Sequence, residues 1–319
     1  MRRVAVAVLV LALIGGTTAA FTITEALKLE PSPVHSKRVE EIFSPGCGCR
    51  TDAAKFVIRL RRDDRLDLDI LAADEPIRNL ARDRAEQKGR VRVRWDGRDD
   101  AGEIVPDGVY QLRVHLRDAD RTVVIPRGIR VDTESPDLEV LGVDRPVISP
   151  DDDGRRDSLR IGYRSSEEAA VLVFAEGRLA AEGSLQKEGE ADVAWDGRVD
   201  GRPLRAGEYR LFVRARDAAG NLSAPATVSV EIRYIEIVQR VLVVERGGRL
   251  RFRVRTDATR FTWTLRRAGG GVVDADPRNR PGVVVARLPE QVRPGRYILE
   301  VRANGHRDRA VVRVTRRQP

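Results

Sequence analysis

The sequence predicts an all-β chain, three tandem antiparallel β-sandwiches behind one N-terminal apolar helix. Three observations predict it. Apolar and polar residues alternate with a period of two through many short segments, turn-forming residues separate those segments, and one set of motifs recurs at offsets of 105 and 100 residues. At 319 residues the chain has room for two or three domains, each with its own core. Its 34% charged and 41% hydrophobic residues describe globular material rather than a disordered chain.

The elements follow in order from the N-terminus. Met1-Arg2-Arg3 precedes the unbroken apolar run Val4 to Ile14, then Gly15-Gly16 and the small residues Thr17 to Ala20, which is the layout of an export signal. Val4 to Ile23 is also uncharged for 20 residues, about the ~20 that cross a bilayer as a helix. Cleavage after Ala20 and retention as a single transmembrane anchor both fit. In either case Arg2 and Arg3 stay on the cytoplasmic side and everything after residue 30 is extracytoplasmic. Residues 1–30 are therefore signal or anchor, Pro31-Ser32-Pro33 is a stiff spacer, and the sandwiches occupy 31–135, 136–234 and 235–319.

In the first sandwich Leu66, Leu68 and Ile70 alternate with Asp67 and Asp69, and Tyr110 to Leu116 alternates likewise, so each segment is expected to have one buried and one wet face. Val171 to Phe174 and Tyr209 to Arg214 repeat the pattern in the second, and Arg249 to Arg255 and Tyr297 to Val301 in the third. Turns such as Asp96-Gly97, Asp107-Gly108 and Asn304-Gly305 lie between. Within the sandwiches, Ile77 to Lys88 is the one segment that reads as a helix. Gly108-Val109-Tyr110, Gly207-Glu208-Tyr209 and Gly295-Arg296-Tyr297 each open a late strand, where a Tyr hydroxyl can pin the corner of a sandwich.

The loops Ser44-Pro45-Gly46-Cys47-Gly48-Cys49-Arg50-Thr51-Asp52 and Ser149-Pro150-Asp151-Asp152-Asp153-Gly154-Arg155-Arg156-Asp157 occupy equivalent places. Trp95-Asp96-Gly97-Arg98 recurs as Trp195-Asp196-Gly197-Arg198, and the Gly-x-Tyr corners follow. Three motifs in this order, over residues 40 to 234, resemble the FlgD-type Ig-like domain of exported bacterial proteins. The resemblance implies Ig-like sandwiches and no particular activity, because the module is generic. Cysteines replace the acids in the first copy's loop, the second lacks the Pro before its Gly-x-Tyr, and the third copy keeps only that corner.

Chemistry-bearing residues are few. His35, His115 and His306 lie in a spacer, on a polar strand face and after a turn, with no Ser or Cys nucleophile evidently paired to any of them, so no enzyme is expected. No cofactor is expected beyond a weak Ca²⁺, for which Asp151, Asp153 and Asp157 are the candidate ligands. A solvated acidic turn neutralised by Arg155 and Arg156 is the competing reading. Cys47 and Cys49 are expected to form a local disulfide outside the cytoplasm, with intermolecular pairing or a thiol-bound metal as alternatives. Trp95 and Trp195 read as core rather than as sugar-stacking platforms.

Charge is unevenly placed. The net charge is +9, and of 58 basic residues only five are Lys, which leaves 53 Arg. From Ile235 onward there are 20 Arg against eight acids, a net of +12, while the rest of the chain carries −3. Arg249, Arg251, Arg253 and Arg255 alternate with Leu250, Phe252 and Val254, so four guanidinium groups share one strand face at about 7 Å spacing. They form the candidate anion-binding site, unless Glu236, Glu245 or Glu300 shields them. The sequence thus points to a non-catalytic structural or binding protein of the cell envelope. Alternatives are a binding module for anionic or carbohydrate wall polymers, or an accessory subunit of an envelope enzyme or appendage. Its expected partners are the membrane, through the N-terminal span, and an anionic wall polymer or another envelope protein; nucleic acid lies in the wrong compartment.

Overall fold

The computed structural model of the chain describes residues 15–18, 33–39 and 41–316. The expected N-terminal span falls outside these residues apart from one helical turn at 15–18, and among the described residues no helix is long and apolar enough to cross a membrane. The chain divides into two compact units, Met1–Thr133 and Glu134–Pro319.

The first unit holds one sandwich. Val34–Val39, Ala54–Leu60 and Gly89–Trp95 form an antiparallel three-stranded sheet. Opposite it runs a larger sheet in the order Ile42–Phe43, Ile129–Val131, Gly108–Leu116, Asp64–Ala72, Glu75–Glu86, with Arg121–Val124 also paired to Gly108–Leu116. The alternating residues of the two inner faces meet in one core around Phe56, Leu68, Trp95 and Leu112.

The second unit holds two sandwiches with the same plan. In the second sandwich Leu138–Val143, Leu159–Ser165 and Gly189–Trp195 face Val147–Ile148, Ala226–Ile232, Gly207–Asp217, Ala169–Ala175 and Arg178–Glu182. In the third, Ile235–Ile237, Arg249–Thr256 and Gly282–Arg287 face Val241–Glu245, His306–Thr315, Gly295–Ala303, Phe261–Arg267 and Val272–Asn279. Each large sheet begins with a short strand that pairs in parallel with the last one, so the third module shares an Ig-like topology that its sequence shows only at the Tyr corner.

The recurring motifs are one structural device. The indole of Trp95 is 1% exposed and donates to the Arg98 carbonyl at 2.8 Å; Trp195 does the same to Arg198 at 3.0 Å. The turn residue after each Trp-Asp has positive φ, +75° at Gly97 and +71° at Gly197. A Cβ there would stand 2.2 Å from Pro45 Cγ or 2.7 Å from Pro150 Cγ, so the Ser-Pro loop can seat only on glycine. The Tyr110, Tyr209 and Tyr297 hydroxyls each donate to the carbonyl four residues back, on Pro106 (2.6 Å), Arg205 (2.9 Å) and Arg293 (2.7 Å).

Two expectations for the first module are corrected. Ile77 to Lys88 is not a helix: Glu75–Glu86 is the edge strand of the large sheet, and three register shifts against Asp64–Ala72 break the alternation that would have marked it. Nor are Asp67 and Asp69 on a wet face, being 8% and 2% exposed. Arg113 (2.9 Å), Arg82 (3.1 Å) and Asn79 (2.9 Å) enclose Asp69, and Arg117 (2.9 Å) and the Asp83 N–H (2.8 Å) hold Asp67. Burial alone would raise the Asp69 pKa, but these donors hold it below the usual carboxylate value; the Arg117 hydrogen bond does the same for Asp67. Folded-state pKa values below the unfolded ones give stability that is present above pH ~4 and lost as pH falls through the depressed values. Asp69→Asn should therefore cost about 2–3 kcal/mol at neutral pH and flatten the acid-unfolding profile of the first unit. Urea unfolding between pH 2 and pH 7 checks this, and a pH profile unchanged by the substitution would remove the linkage.

Candidate functional site

Phe252 and its apolar neighbours Leu250 and Val254 are buried, so the alternation of the Arg249–Thr256 strand sends all four arginines outward. Their surroundings differ. Arg255 lies opposite Glu236 in the ladder and 3.7 Å from its carboxylate, which Arg233 also approaches at 3.5 Å. Arg249, Arg251 and Arg253 have no acid at ion-pair distance among the described residues. On the neighbouring strand Arg249 faces Arg287, which is likewise exposed and without an acid, while Arg251 and Arg253 face Val285 and Val283, 55% and 44% exposed. The sequence reading missed Arg287, which only the strand register brings to this face. Of the expected shields, Glu236 reaches only Arg255 among the four arginines and is shared with Arg233 and Arg240 (3.8 Å), and Glu300, on the opposite sheet, is taken by Arg302 (2.5 Å) and Arg309 (2.6 Å). Glu245 lies in a hollow of about 660 Å³ with Glu290, Arg246, Arg287 and Arg316. The face is therefore a row of three guanidinium groups plus a fourth beside its first member, interleaved with valine.

The two Ser-Pro loops are braced at the same positions by different bonds. Each is closed by one backbone hydrogen bond, Ser44 N–H to Thr51 O (3.1 Å) and Ser149 N–H to Arg156 O (2.8 Å). Cys47 and Cys49 are joined by a disulfide. At the matching places in the second module the N–H groups of Asp152 (2.8 Å) and Gly154 (2.7 Å) both donate to the Asp157 carboxylate. The structure thus brings Asp151 and Asp153 together and gives Asp157 to the loop backbone.

The third carboxylate beside Asp151 and Asp153 is Asp257, from the third module, and one oxygen of each lies within 4.8 Å of the others. Asp151 Oδ1 and both oxygens of Asp257 are shut off from solvent with no hydrogen-bond partner; the Ser149 hydroxyl nearby bonds Asp151 at 3.4 Å. Burial raises the pKa of Asp151 and Asp257, the charges of their acidic neighbours add to that, and Asn304 and Ser149 respectively oppose it. Asn304, at the turn after Gly295–Ala303, donates to Asp151 (3.1 Å) and Asp153 (2.9 Å). Beside them Tyr234 pins the two modules: its hydroxyl donates to Leu204 O (2.6 Å), its carbonyl accepts from Thr256 Oγ1 (2.7 Å), and its ring stacks on His306 with centroids 3.6 Å apart. Burial pushes the Tyr234 phenol up to about 12 and lowers the His306 pKa. His306 is thus part of a packed junction, whereas His35 meets Arg61 and His115 meets Thr122 (3.0 Å) on the surface.

No family model and no curated protein sequence matches the chain. Solved structures similar to it include the fibronectin(III)-like modules of Clostridium thermocellum CbhA, at 12% identity over 63% of this chain and 94% of that one (TM-score 0.35). The I9–I11 tandem of titin matches at 11% identity over 89% and 100% (0.31). SGBP-B of Bacteroides ovatus, solved with a mixed-linkage heptasaccharide, matches at 11% over 90% and 71% (0.22). At TM-scores below 0.5 none of these likenesses bears on what this chain binds.

Proposed function

We propose that the chain is a non-catalytic, extracytoplasmic module of the cell envelope whose third sandwich holds an anionic polymer. The observation that carries this reading is the exposed face of Arg249, Arg251, Arg253 and Arg287, none with an acidic partner among the described residues. Like charges directly opposite in a ladder, as at Arg249 and Arg287, cost stability unless an anion lies between them. Guanidinium groups at about 7 Å spacing suit a chain of phosphates or carboxylates. Export is supported by the N-terminal apolar run and by the Cys47–Cys49 disulfide, which suits an oxidising compartment. The N-terminal span tethers the chain to the membrane, and the FlgD-type resemblance of the first two modules fits a non-catalytic scaffold.

The test is retention of the full chain on immobilised teichoic-type polymer and on a neutral glucan at low ionic strength. Retention on the phosphate polymer alone is expected. Equal retention on both, or on neither, would contradict the reading.

A further inference from the structure

The carboxylates of Asp151, Asp153 and Asp257 pose a separate problem from the arginine face. The structure brings together three acids from two modules with no cation at ion-pair distance among the described residues, although Arg198 is spent nearby on Asp152 at 2.7 Å. Exposed acidic turns need no ion, because water solvates them. Here Asp151 Oδ1 and both Asp257 oxygens are inaccessible and make no hydrogen bond, the Ser149 hydroxyl beside Asp257 being turned to Asp151. An unpaired buried carboxylate is among the costliest groups in a folded protein, so such a group is protonated or meets a cation.

We infer that Asp151, Asp153 and Asp257 bind one Ca²⁺ ion that fastens the second module to the third. The donor set is all hard oxygen, and the Ser149 hydroxyl adds a further oxygen at the same place. A half-turn of the Asn304 amide would exchange its two donated hydrogen bonds for a carbonyl oxygen directed at the same carboxylates. Asp157 takes no part, because its two oxygens shape the loop that presents Asp151 and Asp153. Ca²⁺ tolerates this irregular geometry, whereas Mg²⁺ demands a near-ideal octahedron. The ion replaces the missing donors for Asp257 and links the Ser-Pro loop of one sandwich to the residue that follows the arginine strand of the next. The second and third modules then behave as one body when Ca²⁺ is present and loosen when it is removed.

The experiment is calorimetric titration of chelator-treated full chain with CaCl₂ at pH 7.5, with thermal melts in CaCl₂ and in MgCl₂. One saturable site is expected, with Kd of about 10⁻⁴–10⁻³ M as in other extracellular modules, and a rise in Tm that Mg²⁺ at equal concentration does not match. Asp257→Asn should raise the Tm of the metal-free chain, because it removes an unneutralised buried charge, and should abolish the response to Ca²⁺. Asp153→Asn, at an exposed position that does not threaten folding, should weaken binding at least tenfold, and Asp152→Asn should leave it unchanged. Absence of saturable binding up to 20 mM Ca²⁺, an equal effect of Mg²⁺, or full Ca²⁺ binding by Asp153→Asn would overturn the inference.

Discussion

Exchanging Arg249, Arg251 and Arg253 together for Gln is expected to weaken binding of a teichoic-type phosphate polymer about 30- to 100-fold, since each exposed charge-assisted contact contributes a factor of a few. Folding should not suffer, because the three side chains have no acid to lose and Arg249 stands opposite Arg287. The melting temperature should hold or rise. Arg255→Gln should do much less to binding, because Glu236 already occupies that guanidinium. Titration of labelled polymer with each full-length variant reads this directly, and a triple variant within threefold of the parent would place the site elsewhere.

Tyr234→Ala is expected to cost about 3–4 kcal/mol in the second unit, within the range for a large buried aromatic side chain. It removes the hydrogen bond to Leu204, the stacking on His306 and the packing of a side chain that is 5% exposed between two sandwiches. The backbone acceptor for Thr256 remains but loses its fixed position. Scanning calorimetry should then resolve separate transitions for the second and third modules. Tyr234→Phe, which keeps the ring and orphans only the Leu204 carbonyl, should cost about 1 kcal/mol and leave the transitions coupled. Equal losses in the two variants would mean that the ring contact with His306 contributes little.

What was legible in the sequence was local. Gly-x-Tyr reports a hydrogen bond four residues back, and Trp-Asp-Gly reports a turn with positive φ, so both motifs reveal sandwich corners wherever they occur. Alternation also placed Arg249, Arg251, Arg253 and Arg255 on one face correctly, because the burial of Leu250, Phe252 and Val254 fixes it. Readings that depended on neighbouring strands were weaker. Asp67 and Asp69 alternate with leucines as solvent-facing residues would, yet Arg117, Arg113, Arg82 and Asn79 close over them. Ile77 to Lys88 looked helical because an edge strand with three shifts of register loses its period of two. Arg287 joins Arg249 through strand pairing, and Asp257 reaches Asp151 across a module junction; no local spacing in the chain signals either meeting.

An unpaired arginine face that meets a polyanion through several simultaneous ionic contacts makes the affinity depend steeply on salt. The most direct measurement is the slope of log affinity against log salt for the full chain and for the triple Gln variant on the same polymer. Counterion release predicts a slope close to the number of neutralised charges, about −3 to −4 for the four arginines of this face. The triple variant should flatten it to about −1. A shallow slope in the parent chain, or an equally steep slope in both, would contradict polyanion binding at this face.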